Sequence, residues 1–187
     1  MTAVPAPSSR LADAESDEAI LARFVEGDPD ALGMLAERYE RRLLGLARGL
    51  LGGSDERARD AVQDTWLRVI RAGAAFRGDS AVGTWLYRIT VNRCHTLRTA
   101  KRPATRPASD ADAAVAPTRE PDLSMNLRRA VDALPDDHRD AVLLCSHAGL
   151  THEQAAAVLE IPLGTLKTRQ RAALVALRAR LAEETRP

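Results

Sequence analysis

The chain has few aromatic residues, only two cysteines and no long apolar segment. Aromatic residues make up 3% of its 187 residues and apolar residues of all kinds 45%, so its cores must consist mainly of Ala, Leu and Val. A composition of this kind favours helices. No run approaches the roughly 18 apolar residues that a membrane span requires, so we expect no membrane contact of its own.

Secretory and catalytic signals are also missing. Residues 1–15 carry one Arg and no apolar segment, which predicts a disordered leader and excludes a signal peptide. Cysteines without a secretory signal indicate a reducing compartment, so we expect a cytoplasmic protein with free thiols. Cys94–His95 and Cys145–His147 lack the spacing of a structural zinc site, and the chain has no phosphate-binding loop, HExxH motif or nucleophile elbow. We therefore expect no metal, no cofactor, no small-molecule substrate and no catalytic residues.

Carboxylates are absent from two stretches, although the net charge of the whole chain is only +1. The first is residues 80–109, with six basic side chains: Arg88, Arg93, Arg98, Lys101, Arg102 and Arg106. The second is residues 161–182, with five: Lys167, Arg169, Arg171, Arg178 and Arg180. A basic surface confined to two places is typical of contact with a polyanion such as nucleic acid.

The first acid-free stretch is helical in pattern from about Gly83. One face is apolar and suited to packing inward: Leu86, Ile89, Thr90, Cys94 and Leu97. The opposite face carries Trp85, Arg88, Asn92 and His95. Ring and cation together form a surface for unstacked bases, because charge contacts phosphates while rings stack on bases. The alternative is that Trp85 covers the core and the arginines are an ordinary solvated face.

Residues 76–80 precede this helix and predict a tight loop. Gly78 permits a positive φ there, and either Asp79 or Ser80 is expected to cap the helix that follows.

Three earlier helices are predicted, with starts at Ser16, Asp28–Pro29 and Ser54. The third has an inner side made of Ala61, Val62, Thr65, Val69 and Ile70. Its outer side repeats at i, i+3, i+4 and i+7 with Asp60, Gln63, Asp64 and Leu67. This strip is either a docking surface for a protein or a solvated flank with one stray Leu.

Residues 103–122 contain four prolines, scattered charges and no apolar side chain larger than Val, which predicts a flexible linker. The second domain, residues 123–187, contains no aromatic residue. Its first helix is expected to bury Leu127, Ala130, Val131 and Leu134. Asp136 and Asp137 are expected to cap the next helix.

Thr151 and Gln154 then form a predicted capping box, the turn is at residues 160–162, and a long helix follows over residues 163–181. This is a helix-turn-helix by spacing. Its long helix is expected to bury Leu166, Ala173, Leu174, Leu177 and Leu181 and to turn Thr165, Thr168, Arg171 and Ala172 outward. We assign Thr168 and Arg171 to bases and Lys167 and Arg169 to phosphates, because recognition helices contact bases from their N-terminal half. The alternative is a helix-turn-helix that contacts only protein.

FRGDS followed by TWLYRITVN resembles the promoter-melting segment of the extracytoplasmic-function (ECF) sigma factors. The resemblance implies that the loop and helix bind the non-template strand of the −10 element and hold a flipped base. The residues at matching positions are Phe76, Arg77, Gly78, Asp79, Ser80, Trp85, Arg88 and Asn92. DAVQDTWLRVIRA resembles the same family's docking helix for core RNA polymerase, which implies that role for Asp60, Gln63, Asp64 and Leu67.

LTHEQAAAVLEIPLGTLKTRQRAALVALR resembles the family's −35 recognition segment, which implies contacts from Thr165, Lys167, Thr168, Arg169 and Arg171. Gln170–Arg171 and Ala172–Ala173 depart from the family pattern, so the preferred bases are not carried over. We thus expect an all-α protein of two small helical domains joined by a flexible linker. Sigma region 2 is expected over residues 16–102 and region 4 over residues 123–187. The implied partners are core RNA polymerase, promoter DNA and an anti-sigma factor.

Three other functions are compatible with a basic helix-turn-helix protein. A regulator acting without polymerase would not need Asp60 and Asp64. A sigma mimic that only titrates an anti-sigma protein would not need the face from Trp85 to Asn92. A DNA-processing enzyme such as a recombinase would need a nucleophile in a suitable setting, which the sequence lacks.

Overall fold

The computed structural model describes residues 15–100 and 121–184, which form helices and no strand. The first domain consists of α1 (Asp17–Val25), α2 (Pro29–Leu50), α3 (Asp55–Ala72), a 3-10 turn (Gly73–Ala75) and α4 (Val82–Thr99). The second consists of α5 (Pro121–Asp132), α6 (Asp136–Val142), a π-helical segment (Leu143–His147), α7 (His152–Leu159) and α8 (Leu163–Glu184). The predicted all-α fold with two helical domains is confirmed. No described helix is both long and apolar enough to cross a bilayer.

The predicted leader and linker lie outside the described residues, except for Glu15 in the first and Pro121 and Asp122 in the second. Pro121 is the first residue of α5. Proline is tolerated there because the N–H groups of a first helical turn have no partner within the helix.

Four helix starts predicted from the sequence are present as side-chain caps. Ser16 accepts a hydrogen bond from the N–H of Ala19, Asp28 from Asp30, and Ser54 from Arg57. Thr151 and Gln154 form the reciprocal capping box at the start of α7. Each cap satisfies an N–H group that the first helical turn leaves without a partner.

Two predicted caps are wrong. Neither Asp79 nor Ser80 caps α4, whose N-cap residue is Ala81. Glu18 of α1 does so instead, since the N–H of Val82 donates to its Oε1 at 3.1 Å. The N-cap of α6 is Pro135, which leaves Asp136 and Asp137 in the first turn. There their charge is favourable because the N-terminal end of a helix is electropositive.

The first domain is a bundle of α1 to α4 around a core of aliphatic side chains. Its largest fully buried side chains include Ile20, Leu35, Leu43, Leu46, Leu50, Val69, Val82, Leu86 and Val91. Between α3 and α4 the buried hydroxyls of Thr65 and Thr90 lie 3.0 Å apart, and each also lies within hydrogen-bond distance of a carbonyl oxygen of its own helix. One hydroxyl donates to the other, because each has a single proton to donate. The prediction that Ile70 faces inward is wrong, since its side chain is 51% exposed. The part of the α3 surface that α4 covers is narrower than the apolar face predicted from the sequence, and it does not reach Ile70.

The second domain buries small aliphatic side chains where α5, α6 and α8 meet. They are Ala130, Leu134, Val142, Ala173 and Leu177. Leu127 and Leu174 were expected in this core, but they are 46% and 38% exposed. Since α5 and α6 are short, they cover only part of the circumference of α8.

The two domains pack against each other. Six residues of the second domain belong to the same buried cluster as the core of the first: Ala141, Leu144, Ala155, Ala156, Val158 and Leu166. Helix α4 contacts α7, and α2 contacts the π-helical segment. The second domain therefore lies on the first domain at the side formed by α2 and α4.

Replacing Glu18 tests its role as the cap of α4. Glu18→Ala removes the acceptor for the N–H of Val82 and should lower the free energy of unfolding by about 1 kcal/mol. Glu18→Gln keeps an acceptor oxygen and should retain most of the stability. Urea unfolding measures both changes, with Glu26→Ala at the exposed C-terminal end of α1 as control. An equal loss in Glu18→Ala and Glu26→Ala would contradict the capping role.

Candidate nucleic-acid and polymerase interfaces

The loop of residues 76–80 joins the 3-10 turn to α4. Gly78 has φ of +75°, the left-handed conformation that the sequence predicts. The side chains of Arg77 and Asp79 extend into solvent, with 3.6 Å between Arg77 Nε and Asp79 Oδ2. The ring of Phe76 is half-buried and packs on Trp85, with ring centroids 5.2 Å apart. The fold thus brings the loop and the first turn of α4 together, with aromatic and charged groups side by side.

A cleft of about 370 Å³ lies between this loop and α1. Its walls include Glu18, Leu21, Phe76, Arg77 and Gly78. The volume falls at the small end of the range for ligand pockets, roughly 300–1,000 Å³. Helix α1 contributes to this cleft, a role that its residue pattern did not predict.

The outer face of α4 is partly covered by the second domain. Trp85 is half-buried and Asn92 is exposed. Arg88 Nη2 donates to the carbonyl of Ala157 in α7 at 2.9 Å, and Arg88 Nη1 lies 3.9 Å from a carboxylate oxygen of Glu160. Of the predicted strand-binding residues on α4, Asn92 is therefore the most accessible in this arrangement.

Acidic side chains from other elements neutralise the arginines of α4. Arg93 Nε lies 2.5 Å from Asp64 Oδ2 of α3. Arg98 pairs with Asp140 at 2.9 Å and with Asp136 at 3.6 Å. Lys101, Arg102 and Arg106, which share the acid-free stretch, lie outside the described residues. Residues 80–109 contain no acidic residue, but acidic side chains from other elements lie beside the arginines in the described part of this stretch.

Asp140 is the buried charge of the interdomain contact, with 4% of its surface exposed. His95 Nε2 lies 2.7 Å from its Oδ2, and Arg98 Nη1 donates to its Oδ1 at 2.9 Å. Burial acts to raise the pKa of Asp140, but the hydrogen bonds to His95 and Arg98 and the charge of Arg98 outweigh it, so the pKa lies below its ordinary value. Asp140 is therefore an anion where the two domains meet.

Cys94 belongs to the core of the first domain. It is fully buried, and burial raises the pKa of its thiol to about 12. A thiol with that pKa is neutral at physiological pH and unreactive. Among residues 15–100 and 121–184, no three His, Cys, Asp or Glu side chains are grouped in a way that would hold a metal ion.

The predicted docking strip lies on the outer face of α3. Asp60, Gln63 and Leu67 are exposed, whereas Asp64 is half-buried beside Arg93. Ile70 extends the strip by one turn, so that Leu67 and Ile70 form an exposed apolar pair at 39% and 51%. Ile70 was predicted to lie in the core, although its i+3 spacing from Leu67 would have placed it on the strip.

The predicted recognition helix begins at Leu163, and its N-terminal half faces solvent. Lys167, Thr168 and Arg171 are exposed and Thr165 is half-buried. The Thr168 hydroxyl donates to the carbonyl of Gly164 at 3.0 Å, and Arg169 Nε lies 3.2 Å from Asp137 Oδ2. Arg169 therefore pairs with a carboxylate of the same chain, whereas the sequence predicts that it contacts a DNA phosphate.

Two features that orient α8 were missed in the sequence. His152 Nε2 lies 2.6 Å from Gln170 Oε1, which ties the first turn of α7 to the middle of α8. Glu160 ends α7 in the left-handed conformation with φ of 55°, which is uncommon for a residue other than glycine. The Gln170 that departs from the family pattern thus holds the recognition helix against its neighbour.

Family models match both domains. The model for Sigma-70 region 2 matches residues 35–103, and the model for Sigma-70 region 4 matches residues 124–177. Among curated proteins, the ECF RNA polymerase sigma-E factors of Salmonella typhimurium and Escherichia coli are each 35% identical over 173 residues, covering 82% of this chain and 88% of theirs. The RNA polymerase sigma-H factor of Pseudomonas aeruginosa is 31% identical, covering 83% of this chain and 88% of its own.

Solved structures show the same fold. CnrH, in complex with the cytosolic domain of CnrY, superposes with a TM-score of 0.73 at 24% identity over 91% of this chain and 100% of its own. RpoE of Bartonella quintana, in complex with the anti-sigma factor NepR, gives 0.68 at 24% identity over 80% of this chain and 96% of its own. With two matching domain models and relatives 35% identical over most of both chains, this chain belongs to the sigma-70 family and, within it, to the ECF RNA polymerase sigma factors.

Proposed function

We propose that the chain directs core RNA polymerase to promoters, with α8 binding the −35 duplex and the loop and α4 capturing the −10 strand. The observation that carries this proposal is the presence of two candidate DNA surfaces on different domains. One is the exposed N-terminal half of α8, and the other is the aromatic, arginine-bearing α4. The polymerase supplies the chemistry, in the cytoplasm, and this chain supplies recognition.

The exposed half of α8 supports the −35 assignment. Thr168 and Arg171 are accessible for base edges and Lys167 for phosphate, as in recognition helices that enter the major groove. Thr165, half-buried at the first turn, completes the contact surface. Arg169 would leave Asp137 to reach a phosphate.

The loop and α4 support the −10 assignment. Phe76 lines the cleft and packs on Trp85 with the two rings tilted by 49°, and Gly78 lets the backbone turn closely around the cleft. Arg77, Asp79, Ser80, Arg88 and Asn92 provide the polar groups that recognise an extruded base and its phosphates. Stacking contributes about 1–3 kcal/mol per base, which offsets a flipping cost of a few kcal/mol.

The outer strip of α3 supports polymerase docking. A small apolar pair, Leu67 and Ile70, is bordered by Asp60, Gln63 and Asp64, which is the usual composition of an interface centre with a polar rim. We add Ile70 to the predicted set. CnrH was solved in complex with the cytosolic domain of CnrY, and RpoE in complex with the anti-sigma factor NepR. We propose that an anti-sigma protein binds this chain too.

Run-off transcription with purified core polymerase on a library of promoters tests the function as a whole. Initiation from a defined class of templates is expected. No initiation on any template, together with no association with core polymerase, would overturn the proposal.

Asn92→Ala is expected to weaken open-complex formation by roughly 10-fold while binding of −35 duplex stays within two-fold, because one base contact is worth about 1–3 kcal/mol. Permanganate footprinting measures strand opening, and a gel shift measures duplex binding. Thr99→Ala, exposed on the last turn of the same helix, is the control. Equal losses in opening and duplex binding would refute a role in the −10 contact.

Ile70→Ala should lower the affinity for core polymerase by about 10-fold, as truncation of an interface-centre residue commonly does, and Asp60→Ala on the polar rim should lower it by a smaller factor. Asp60 is preferred to Asp64 for this test because Asp64 also pairs with Arg93 within the chain. Arg68→Ala, exposed on the flank of α3, should bind as the unchanged protein does. Fluorescence anisotropy with labelled chain and core polymerase measures the affinities. Unchanged binding of both strip variants would exclude this surface.

Lys167→Ala should weaken duplex binding evenly across sequences and reduce the slope of log K against log salt by about 0.9, since one phosphate contact is lost. Arg171→Ala should instead relax the preference at one base pair by about 1–3 kcal/mol. Arg180→Ala, about 20 Å along the helix from Lys167, is the control. Titrations at several salt concentrations distinguish these outcomes, and an unchanged slope for Lys167→Ala would contradict the phosphate contact.

A further inference from the structure

The cleft between α1 and the loop of residues 76–80 has one wall that is made of α1. The residues of α1 that line it are Glu18, Leu21, Ala22 and Val25. Three of the four are apolar, and the fourth carries a carboxylate. The remaining wall is formed by residues 73, 74 and 76–78, which include Arg77. Glu18 and Arg77 therefore bring opposite charges to one small cavity.

Local packing fixes the shape of this cleft. The N–H of Phe76 donates to the carbonyl of Gly73 at 3.1 Å, which closes the 3-10 turn. A Cβ atom at Gly73 would lie 3.6 Å from side-chain atoms of Leu21 and of Phe24, so α1 packs closely on this turn. The cleft is thus formed before any ligand binds, as ligand sites usually are.

The carboxylate of Glu18 can accept further hydrogen bonds. It accepts one from the N–H of Val82 at 3.1 Å, whereas an ionised carboxylate has about four acceptor sites. Its neighbour Asp17 is used within the chain, since it pairs with Arg38 at 2.6 Å and accepts from the Tyr39 hydroxyl. Because Val82 is the first residue of α4, Glu18 lies where α1, the cleft and the predicted strand-binding helix meet.

Three groups in the cleft match the three parts of one extruded deoxynucleotide. The ring of Phe76 can stack on the base, and Arg77, whose side chain is 85% exposed, can reach the phosphate. The carboxylate of Glu18 then faces the edge of the base, through which enzymes recognise flipped bases. An ionised carboxylate only accepts hydrogen bonds, so it requires a donor on that edge.

A carboxylate distinguishes bases by their exocyclic groups. Cytosine, adenine and guanine each carry an amino group, which donates, whereas the exocyclic polar groups of thymine are the carbonyl oxygens O4 and O2. The one ring N–H of thymine lies between these two oxygens. A carbonyl oxygen against a carboxylate places two acceptors face to face, and such a mismatch rejects the wrong ligand.

We propose that Glu18 is a specificity-determining residue of the cleft and selects an extruded base that bears an exocyclic amino group, against thymine. Phe76 and Arg77 hold the nucleotide, and Glu18 recognises the edge of its base. The inference rests on the proposed function for the assignment of the loop and α4 to the −10 strand. It adds a residue of α1 to that site and states the chemical class of the base at one position.

Glu18→Gln tests the selection while it keeps an acceptor for the N–H of Val82. The probe is a fluorescein-labelled single strand with the −10 sequence selected in the run-off library, in which each position is replaced in turn by all four bases. Fluorescence anisotropy measures its binding to the complex of this chain with core polymerase. At one position, thymine should bind roughly 10-fold more weakly than an amino-bearing base. A glutamine amide can donate to a carbonyl, so Glu18→Gln should reduce this difference to about three-fold or less.

Glu26→Gln is the matched control. It removes the same charge from the other end of α1, at a residue that does not line the cleft, and it should retain the preference. Three results overturn the inference: no position at which the unchanged protein disfavours thymine, a preference that survives in Glu18→Gln, or a preference that is lost equally in both variants.

A second pair of variants tests whether the base enters this cleft. Ala74 and Ala75 are both exposed in the 3-10 turn, but only Ala74 lines the cleft. Ala74→Leu should therefore weaken strand binding by at least about five-fold, and Ala75→Leu by less than about two-fold, because only the first displaces a stacked base. Equal affinities in the two variants overturn the cleft as the site of the base.

The same measurements separate this inference from the proposed function. Binding of −35 duplex and of core polymerase should be the same in all four variants as in the unchanged protein. If the inference fails, the proposed function still stands as long as Asn92→Ala impairs opening of the promoter. If no template yields a transcript, the proposed function fails and the inference fails with it.

Discussion

Helix α4 carries three arginines and no carboxylate, and this imbalance organises much of what surrounds it. Each arginine is neutralised by an acid from a different part of the chain: Arg88 by Glu160, Arg93 by Asp64, and Arg98 by Asp140 and Asp136. Because three of these four acids belong to the second domain and pair with two of the three arginines, the charge of α4 helps to bring the domains together. A helix whose arginines paired with acids of the same helix would not need the second domain to neutralise them.

The same excess of arginines over carboxylates makes α4 suitable for binding a polyanion. Carboxylates and DNA phosphates compete for the same guanidinium groups, and phosphates form equally good bidentate pairs with arginine. A carboxylate of the chain itself can therefore pair with arginines that would otherwise bind DNA phosphates, and the side chains of the DNA-binding surface remain the same. Asp64 lies on the border of two proposed surfaces, since it belongs to the α3 strip and also holds Arg93 of α4.

Much of the local structure could be predicted from residue patterns. The caps at Ser16, Asp28, Ser54 and Thr151 are where side-chain chemistry requires them, and Gly78 has the positive φ expected of it. Ile70, Leu127 and Leu174 were wrongly assigned to cores. Helical periodicity gives the angle between side chains but not the width of the arc that a neighbouring helix covers. The roles assigned to the site residues in DNA and polymerase binding stay predictions.

The amino-acid sequence determined the helices, the faces on which residues lie together and the family to which the chain belongs. These follow from interactions between residues a few positions apart and from motifs that are contiguous. The tertiary structure decided which acid neutralises which base and that Glu18 caps α4. Arg98 and Asp140 are separated by 42 positions, and Arg88 and Ala157 by 69. No periodicity within a helix specifies partners so far apart, because only the packing of the domains brings them within hydrogen-bond distance.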